Sequence, residues 1–316
     1  MLFAIVHLSS PLIIASDSIG AIVPASVAGI KFAVHFPLEP DGGFQSIDLF
    51  EQQLLPPKCV SAIKEGGKPM KGWGRPVCFP SVEVQVTKVI AELLPGQNDV
   101  HETAAVFHKT FPTWLSRMYI FVMLMTKQFT YKYISFSDER FVDCRIEVYS
   151  HENDKYTHVP ATSLGVNINV TNIKCGLTLT QLIQCCDLAS GGRELLLEYS
   201  LMTEAYSSRR LREGRKAVLE AASAFEVCLT RIARQELLRI GVTFCDDLLD
   251  KYKTLGNRLE LASLLSLGLP AYDYKKTVVS TRNKIVHEGY CPDAKVVNEV
   301  IHAIEAAIMA LSPSFV

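Results

Sequence analysis

The chain lacks the net positive charge that a nucleic-acid-binding surface usually requires. Its 32 basic side chains are balanced by 33 acidic ones, which leaves a formal net charge of -1. A global electrostatic grip on nucleic acid is therefore excluded, and any such contact must come from a local patch. The densest basic stretch contains Arg209, Arg210, Arg212, Arg215 and Lys216. This run can guide RNA, or it can be a solvated face of a helix.

The sequence also lacks the spacing of a metal centre. Its nine cysteines are odd in number, contain no CxxC pair and do not combine with the eight histidines into a zinc pattern. Several of them fall in apolar runs, which indicates buried thiols in a reducing compartment. We therefore predict a cytoplasmic protein with no metal and no cofactor.

A signal peptide and a membrane span are not expected. The first charged side chain is Asp17, so the apolar start has no basic residues before it. Ser9, Ser10 and Pro11 interrupt that start, and the apolar stretch 117–126 is too short to cross a bilayer. We expect no membrane partner.

Apolar residues before position 180 come in short runs separated by glycine and proline. Alternation of apolar and polar residues predicts strands over 31–36, 82–87, 141–149 and 164–170. Residues 103–126 predict a helix that Pro112 breaks. We therefore predict a strand-rich α+β domain over residues 1–178, which could bind a trigger molecule or protein, or position a substrate.

The pattern becomes helical in the second part, and the predicted fold class of the whole chain is α+β. An all-α bundle is expected over residues 185–316, because apolar residues recur there at helical spacing. Helices are predicted from about 195 to 206, over 212–240, which Gly241 ends, and over 246–252, 260–266, 274–287 and 294–311.

One helix of the predicted bundle carries residues suited to phosphate chemistry. Arg282, Asn283 and His287 lie within six residues, in the last turns before Gly289. A guanidinium holds phosphate, and an imidazole transfers protons near neutral pH. On a helical wheel Arg282 falls within the apolar face, whereas Asn283 and His287, four residues apart, share a neighbouring face. The three side chains could line the rim of one cleft.

The spacing by itself is weak evidence. Arg145 and His151 reproduce it on a predicted strand, where we interpret it as coincidence. The setting at a helix end, with Asn283 directly after the arginine, distinguishes the second occurrence. Arg282 could instead pair with a buried glutamate, and His287 could be a helix C-cap.

The segment Arg282-Asn283-Lys284-Ile285-Val286-His287-Glu288-Gly289-Tyr290 resembles the HEPN domain family (higher eukaryotes and prokaryotes nucleotide-binding), and is similar to its ApeA-like group. The resemblance covers residues from about 190 to 316. It also rests on the long alanine-rich helix with Glu226 and on the last helix from Ala294. Residues 1–178 resemble no family that we recognise.

The resemblance implies a metal-independent endoribonuclease of toxin or antiviral defence systems, with RNA as its substrate. It implies that two HEPN domains pair as a homodimer so that both motifs face one cleft. His287 would act as acid or base, Arg282 would hold the phosphate, and Asn283 would orient His287 or bond the phosphate. Glu226 would orient Arg282, or it is a partly exposed surface residue.

Two other functions stay open. The bundle could be a HEPN fold without catalysis that acts as a dimerising scaffold or regulatory partner. Asp99, His101, Glu102 and His108 also cluster in sequence, but a solvated loop that leads into a helix explains them more simply.

Overall fold

The computed structural model describes residues 2–44, 52–60, 64–65, 68–69, 71–78, 83–94, 99–126, 144–152, 155–159, 176–192 and 194–315. The chain divides into two compact units, Met1–Arg193 and Glu194–Val316. The first holds an antiparallel sheet and the second is helical, so the predicted α+β class is confirmed.

The first unit is built on a seven-stranded antiparallel sheet. The strand order is β2-β3-β7-β1-β8-β9, with β6 also paired to β7, while β4 and β5 form a separate two-stranded sheet. The strands are β1 Leu2–Ala15, β2 Ile22–Val27, β3 Ile30–His35, β4 Lys64–Glu65, β5 Lys68–Pro69, β6 Gly74–Cys78, β7 Glu83–Leu93, β8 Cys144–Glu152 and β9 Lys155–Val159.

The apolar N-terminal run forms the central strand of this sheet. β1 pairs with β7 on one side and with β8 on the other. Residues 2–6 are all buried, because both faces of the strand are covered. A strand of this kind shows a continuous apolar run instead of alternation, which is why the period-2 pattern did not reveal it.

A long helix, α1 (Val100–Thr126), contributes much of the core of this unit. The predicted break at Pro112 is wrong, because the helix runs through it. Proline removes one backbone hydrogen bond of a helix. Phe107, Phe111 and Trp114 are buried, and each packs its ring against Phe32 of β3. This burial on both sides of the proline offsets the lost bond.

The helix α2 (Leu179–Ser190) belongs to the first unit. It packs against α1 and β2, and the Ser190 hydroxyl accepts hydrogen bonds from the indole of Trp114 and the backbone of Ser26. The unit boundary therefore falls at residue 193, beyond the predicted ends at 178 and 185. The predicted strand over 164–170 lies outside the described residues, as does the start of the one over 141–149.

The second unit consists of helices that match the predicted series. They are α3 Leu197–Arg210, α4 Gly214–Arg239, α5 Cys245–Lys251, α6 Leu255–Leu264, α7 Thr281–Glu288 and α8 Ala294–Leu311. A π-helical segment, Lys275–Ser280, leads directly into α7. α4 lies at the centre, since it packs against α3, α5, α6, α7 and α8.

A buried ion pair ties three parts of this unit together. The carboxylate of Glu198 on α3 is 1% exposed and lies 2.6 Å from Nη2 of Arg231 on α4. The same nitrogen donates to the Ser312 hydroxyl at 2.6 Å, just beyond the end of α8. Tyr199 donates its hydroxyl to the Ser312 carbonyl, and its ring meets Phe315 edge-on. The chain end is thereby fixed to the first and second helices of the unit.

This pair should be the polar contact on which the bundle depends most. We expect Arg231→Met to lower the free energy of unfolding by about 3–5 kcal/mol, because it leaves a buried carboxylate without its cation. The matched control is Arg234→Met on the same helix, whose partner Asp246 is exposed. That change should cost less than about 1 kcal/mol. Urea unfolding measured by circular dichroism checks both values, and equal losses would contradict the assignment.

Candidate functional site

The motif helix α7 ends where the sequence predicts. Gly289 has a left-handed backbone with φ of 65°, a conformation that glycine adopts without the strain of a side chain. Its N–H and that of Tyr290 both donate to the carbonyl of Lys284. The helix therefore closes one residue after Glu288.

Arg282, Asn283 and His287 lie together on the outer part of this helix. Arg282 is half-buried, at a position four residues after the buried Val278 and three before the buried Ile285. Its Nη1 donates to Oδ1 of Asn283 at 3.2 Å. Asn283 and His287 are exposed and one turn apart. The arginine thus leaves the apolar stripe toward the amide, and the imidazole is open to a ligand.

The basic stretch reaches the same end of the bundle as His287. The guanidinium of Arg215 donates from Nε to the Tyr290 carbonyl at 3.0 Å and from Nη2 to the Gly289 carbonyl. A Cβ at Gly214 would lie 3.2 Å from the Pro292 carbonyl, so this glycine permits the close approach of α4. The first turn of α4 therefore lies against the loop that follows the motif.

The other basic residues surround this contact. Arg209 donates to Asn298 on α8 at 3.4 Å, and its guanidinium lies 5.7 Å from the ring centre of Tyr206. Lys216 lies 4.0 Å from Glu213, while Arg210 is half-buried. Arg212 is exposed in the turn between α3 and α4, with a positive φ of 63°. Two residues of the run therefore bond neighbouring segments, and Arg212 projects outward.

Glu226 is placed away from Arg282. The ring of its neighbour Phe225 packs against Tyr274 at 5.3 Å, about two helical turns before Arg282. The cation near Glu226 is Arg258 of α6. Burial lowers the pKa of Arg258, and the charges of Glu226 and Asp250 oppose that shift. The described residues show no ion pair between Glu226 and Arg282.

Sequence reasoning missed Arg258 and a group of tyrosines at the start of the motif segment. Two nitrogens of Arg258, Nε and Nη1, are buried and have no hydrogen-bond partner among the described residues. Tyr272 donates to or accepts from Nδ1 of His302 at 3.1 Å. The available signal was the Tyr272-Asp273-Tyr274 triplet after Pro270, which combines aromatic and acidic side chains in a turn.

The acidic and histidine cluster of the first unit lies at the start of α1. Asp99 accepts a hydrogen bond from the His101 backbone at 3.3 Å, and its carbonyl accepts one from Thr103. Asp99, His101 and Glu102 are exposed, and His108 is half-buried one turn further along the helix. The geometry is that of a solvated helix start.

Thiols of the described chain are mostly enclosed. Cys185 and Cys228 are buried, and desolvation raises the pKa of each to about 12. Cys291, two residues after Gly289, is exposed. The enclosed sulfurs are therefore protonated at neutral pH and act as packing groups.

No family model, curated protein or solved structure matches the chain. In the described part, no helix combines the length and apolarity needed to cross a membrane. The same residues contain no group of three or more histidine, cysteine, aspartate or glutamate side chains placed to hold a metal ion.

The contact of Arg215 with the motif loop can be tested directly. We expect Arg215→Met to increase amide hydrogen exchange at residues 288–291 about tenfold, because the Gly289 and Tyr290 carbonyls lose their donor. Arg212→Met, which removes the same charge three residues earlier, is the control and should leave that exchange unchanged. Hydrogen-exchange mass spectrometry provides the comparison. If both variants behave alike, Arg215 has no structural role at the motif.

Proposed function

We propose that the second unit is an endoribonuclease of the HEPN type, which cleaves RNA without a metal ion. The observation that carries the proposal is the convergence of two distant stretches at one end of the bundle. His287 and Asn283 are exposed there, Arg282 lies beside them, and Arg215 contacts the loop that follows. Positive charge for a phosphate and a group for proton transfer are thus close together.

In the proposed reaction, the ribose 2′-oxygen attacks the adjacent phosphorus. A bond between that oxygen and phosphorus forms, the bond from phosphorus to the 5′-oxygen breaks, and a cyclic phosphate is left. One base takes the proton of the 2′-hydroxyl and one acid protonates the leaving 5′-oxygen. His287 serves in one of these roles, and Arg282 offsets the charge that develops on the phosphate.

A second copy of the chain would supply the other proton-transfer group. His287 is the histidine at this end of the unit, and His302 is bonded to Tyr272 instead. Two apolar side chains next to the motif, Val286 and Tyr290, are 48% and 37% exposed. A two-fold contact through them would bring two motifs to one cleft, since such a contact uses the same surface of both copies.

RNA cleavage by the full chain tests this proposal. We expect wild-type protein to cut single-stranded RNA in the presence of a chelator and to leave a cyclic phosphate end. His287→Ala should lower the rate at least about a hundredfold, and Arg282→Lys should lower it because lysine lacks the planar fork. His302→Gln is the matched control and should retain the wild-type rate. Absence of cleavage by wild type, or full activity of His287→Ala, would exclude the enzyme.

The alternative is a HEPN fold that dimerises without catalysis, and the exposure of Val286 and Tyr290 is what favours it. Sedimentation analysis separates the two functions when it is combined with the cleavage assay. We expect Val286→Asp to shift a dimer to monomer and to abolish cleavage, whereas Leu211→Asp, at another exposed leucine, should do neither. A dimer that never cleaves RNA would support the scaffold, and a monomer that cleaves normally would refute the shared cleft.

A further inference from the structure

A groove of about 680 Å³ opens beside the start of the motif segment, away from His287. Tyr252, Tyr272 and Tyr274 line it, together with leucine and proline side chains. Glu260, Asp273 and Lys275 supply its charges. Its volume lies in the range of small-molecule sites, and its walls combine apolar surface with a few polar groups.

The aromatic rings of this groove are held in place from behind. The ring centres of Tyr272 and Tyr274 are 5.9 Å apart and the ring planes are tilted by 58°. Tyr272 is fixed through its hydroxyl to His302 on α8, whose ring it meets edge-on. Tyr274 packs on Phe225 of α4. A ligand would therefore meet rings that need little ordering when it binds.

The polar groups of the groove favour a ligand that donates hydrogen bonds. Lys275 pairs with Glu260 at 2.9 Å, so the ammonium is already engaged, and two carboxylates face one cation. Oδ1 of Asp273 accepts from the Lys276 backbone at 3.0 Å, which fixes the carboxylate at the groove. The lining is thus net negative and repels a phosphate group.

The hydroxyl of Tyr274 provides an independent indication of an absent partner. Tyr274 is 6% exposed, and its oxygen is enclosed with no hydrogen-bond partner among the residues that the structure describes. A buried hydroxyl of this kind costs free energy until an acceptor or donor reaches it. Burial also raises the pKa of Tyr274 to about 12, so the group is a neutral phenol at physiological pH.

From these contacts we infer that the groove binds a nucleobase of single-stranded RNA, stacked on Tyr272. The inference rests on the proposed function for the presence of RNA. A base has a flat face for the tyrosine ring and exocyclic amines for the carboxylates, and it carries no charge. The two ends of the motif segment would then act differently, with phosphate held at the arginine end and a base held at the tyrosine end.

The distance between the two ends suits one bound strand. Tyr274 and His287 belong to one continuous helical segment and are separated by about 20 Å along its axis. A short single strand can cover that length while both ends are engaged. The groove would therefore select a base several nucleotides away from the bond that is cut.

Binding of labelled oligoribonucleotides to the full chain with His287→Ala, which does not cut the probe, tests the inference. We expect Tyr272→Ala to weaken binding of a short single-stranded RNA about tenfold in fluorescence anisotropy, the effect of one lost stacking contact. Tyr272→Phe is the matched control, because it keeps the ring and loses the bond to His302. It should bind within about twofold of the parent.

Salt dependence distinguishes a base contact from a phosphate contact. The affinity ratio between Tyr272→Ala and its parent should stay constant as salt is raised, since stacking releases no counterions, whereas Arg282→Ala should reduce the salt slope. Free nucleosides, measured by saturation-transfer NMR, form a second arm. A signal lost in Tyr272→Ala shows that the base alone suffices, and an absent signal with the tenfold loss intact shows that the base is read within a strand.

The inference and the proposed function can fail separately. If Tyr272→Ala is folded by circular dichroism and binds RNA as tightly as its parent, the groove does not bind a base, whatever the cleavage assay shows. If the ring-dependent binding is present but the wild-type protein cuts no RNA, the enzyme proposal fails and the base-binding groove stands.

Discussion

The helical unit depends on one buried carboxylate. Glu198 is almost fully enclosed, and a charge in that position is tolerated only because Arg231 and the chain end satisfy it. The pair fixes the orientation of α4 about its axis, since Arg231 must point at α3. α4 in turn is the helix against which the motif segment packs, through Phe225 near its middle and Arg215 at its start. Placement of the candidate site therefore follows from a contact far from it in sequence.

Periodicity predicted most of the helices of the second unit, because each has a clear apolar stripe and an identifiable end. α8 was predicted residue for residue, and Gly241 and Gly289 end their helices with the positive φ that glycine allows. The strands were harder to predict. The central strand β1 is buried on both sides, so its sequence shows no alternation, and the break at Pro112 did not occur because tertiary packing outweighed one lost hydrogen bond.

The candidate site was predictable in composition but not in its full arrangement. The helix end that carries Arg282, Asn283 and His287 could be found from residue types and from Gly289. The approach of Arg215 could not be found, because it depends on how α4 crosses the loop at Pro292. Glu226 faces Arg258 for the same reason: flank positions on a helix do not reveal which neighbour they meet. The tyrosine groove joins α6, α8 and the segment before α7, and local spacing carries no record of such a junction.

The π-helical turn before α7 has a consequence for how this motif could change over time. A π turn holds one more residue than the α turn it replaces. Loss of one residue between Lys275 and Ser280 would restore a plain α-helix and rotate everything after it by about 100° relative to the tyrosines. Arg282 and His287 would then face different neighbours with no change in their own identity. The alignment between the two ends of the segment is therefore a matter of residue count, and single-residue insertions or deletions there are the changes that this unit can least accommodate.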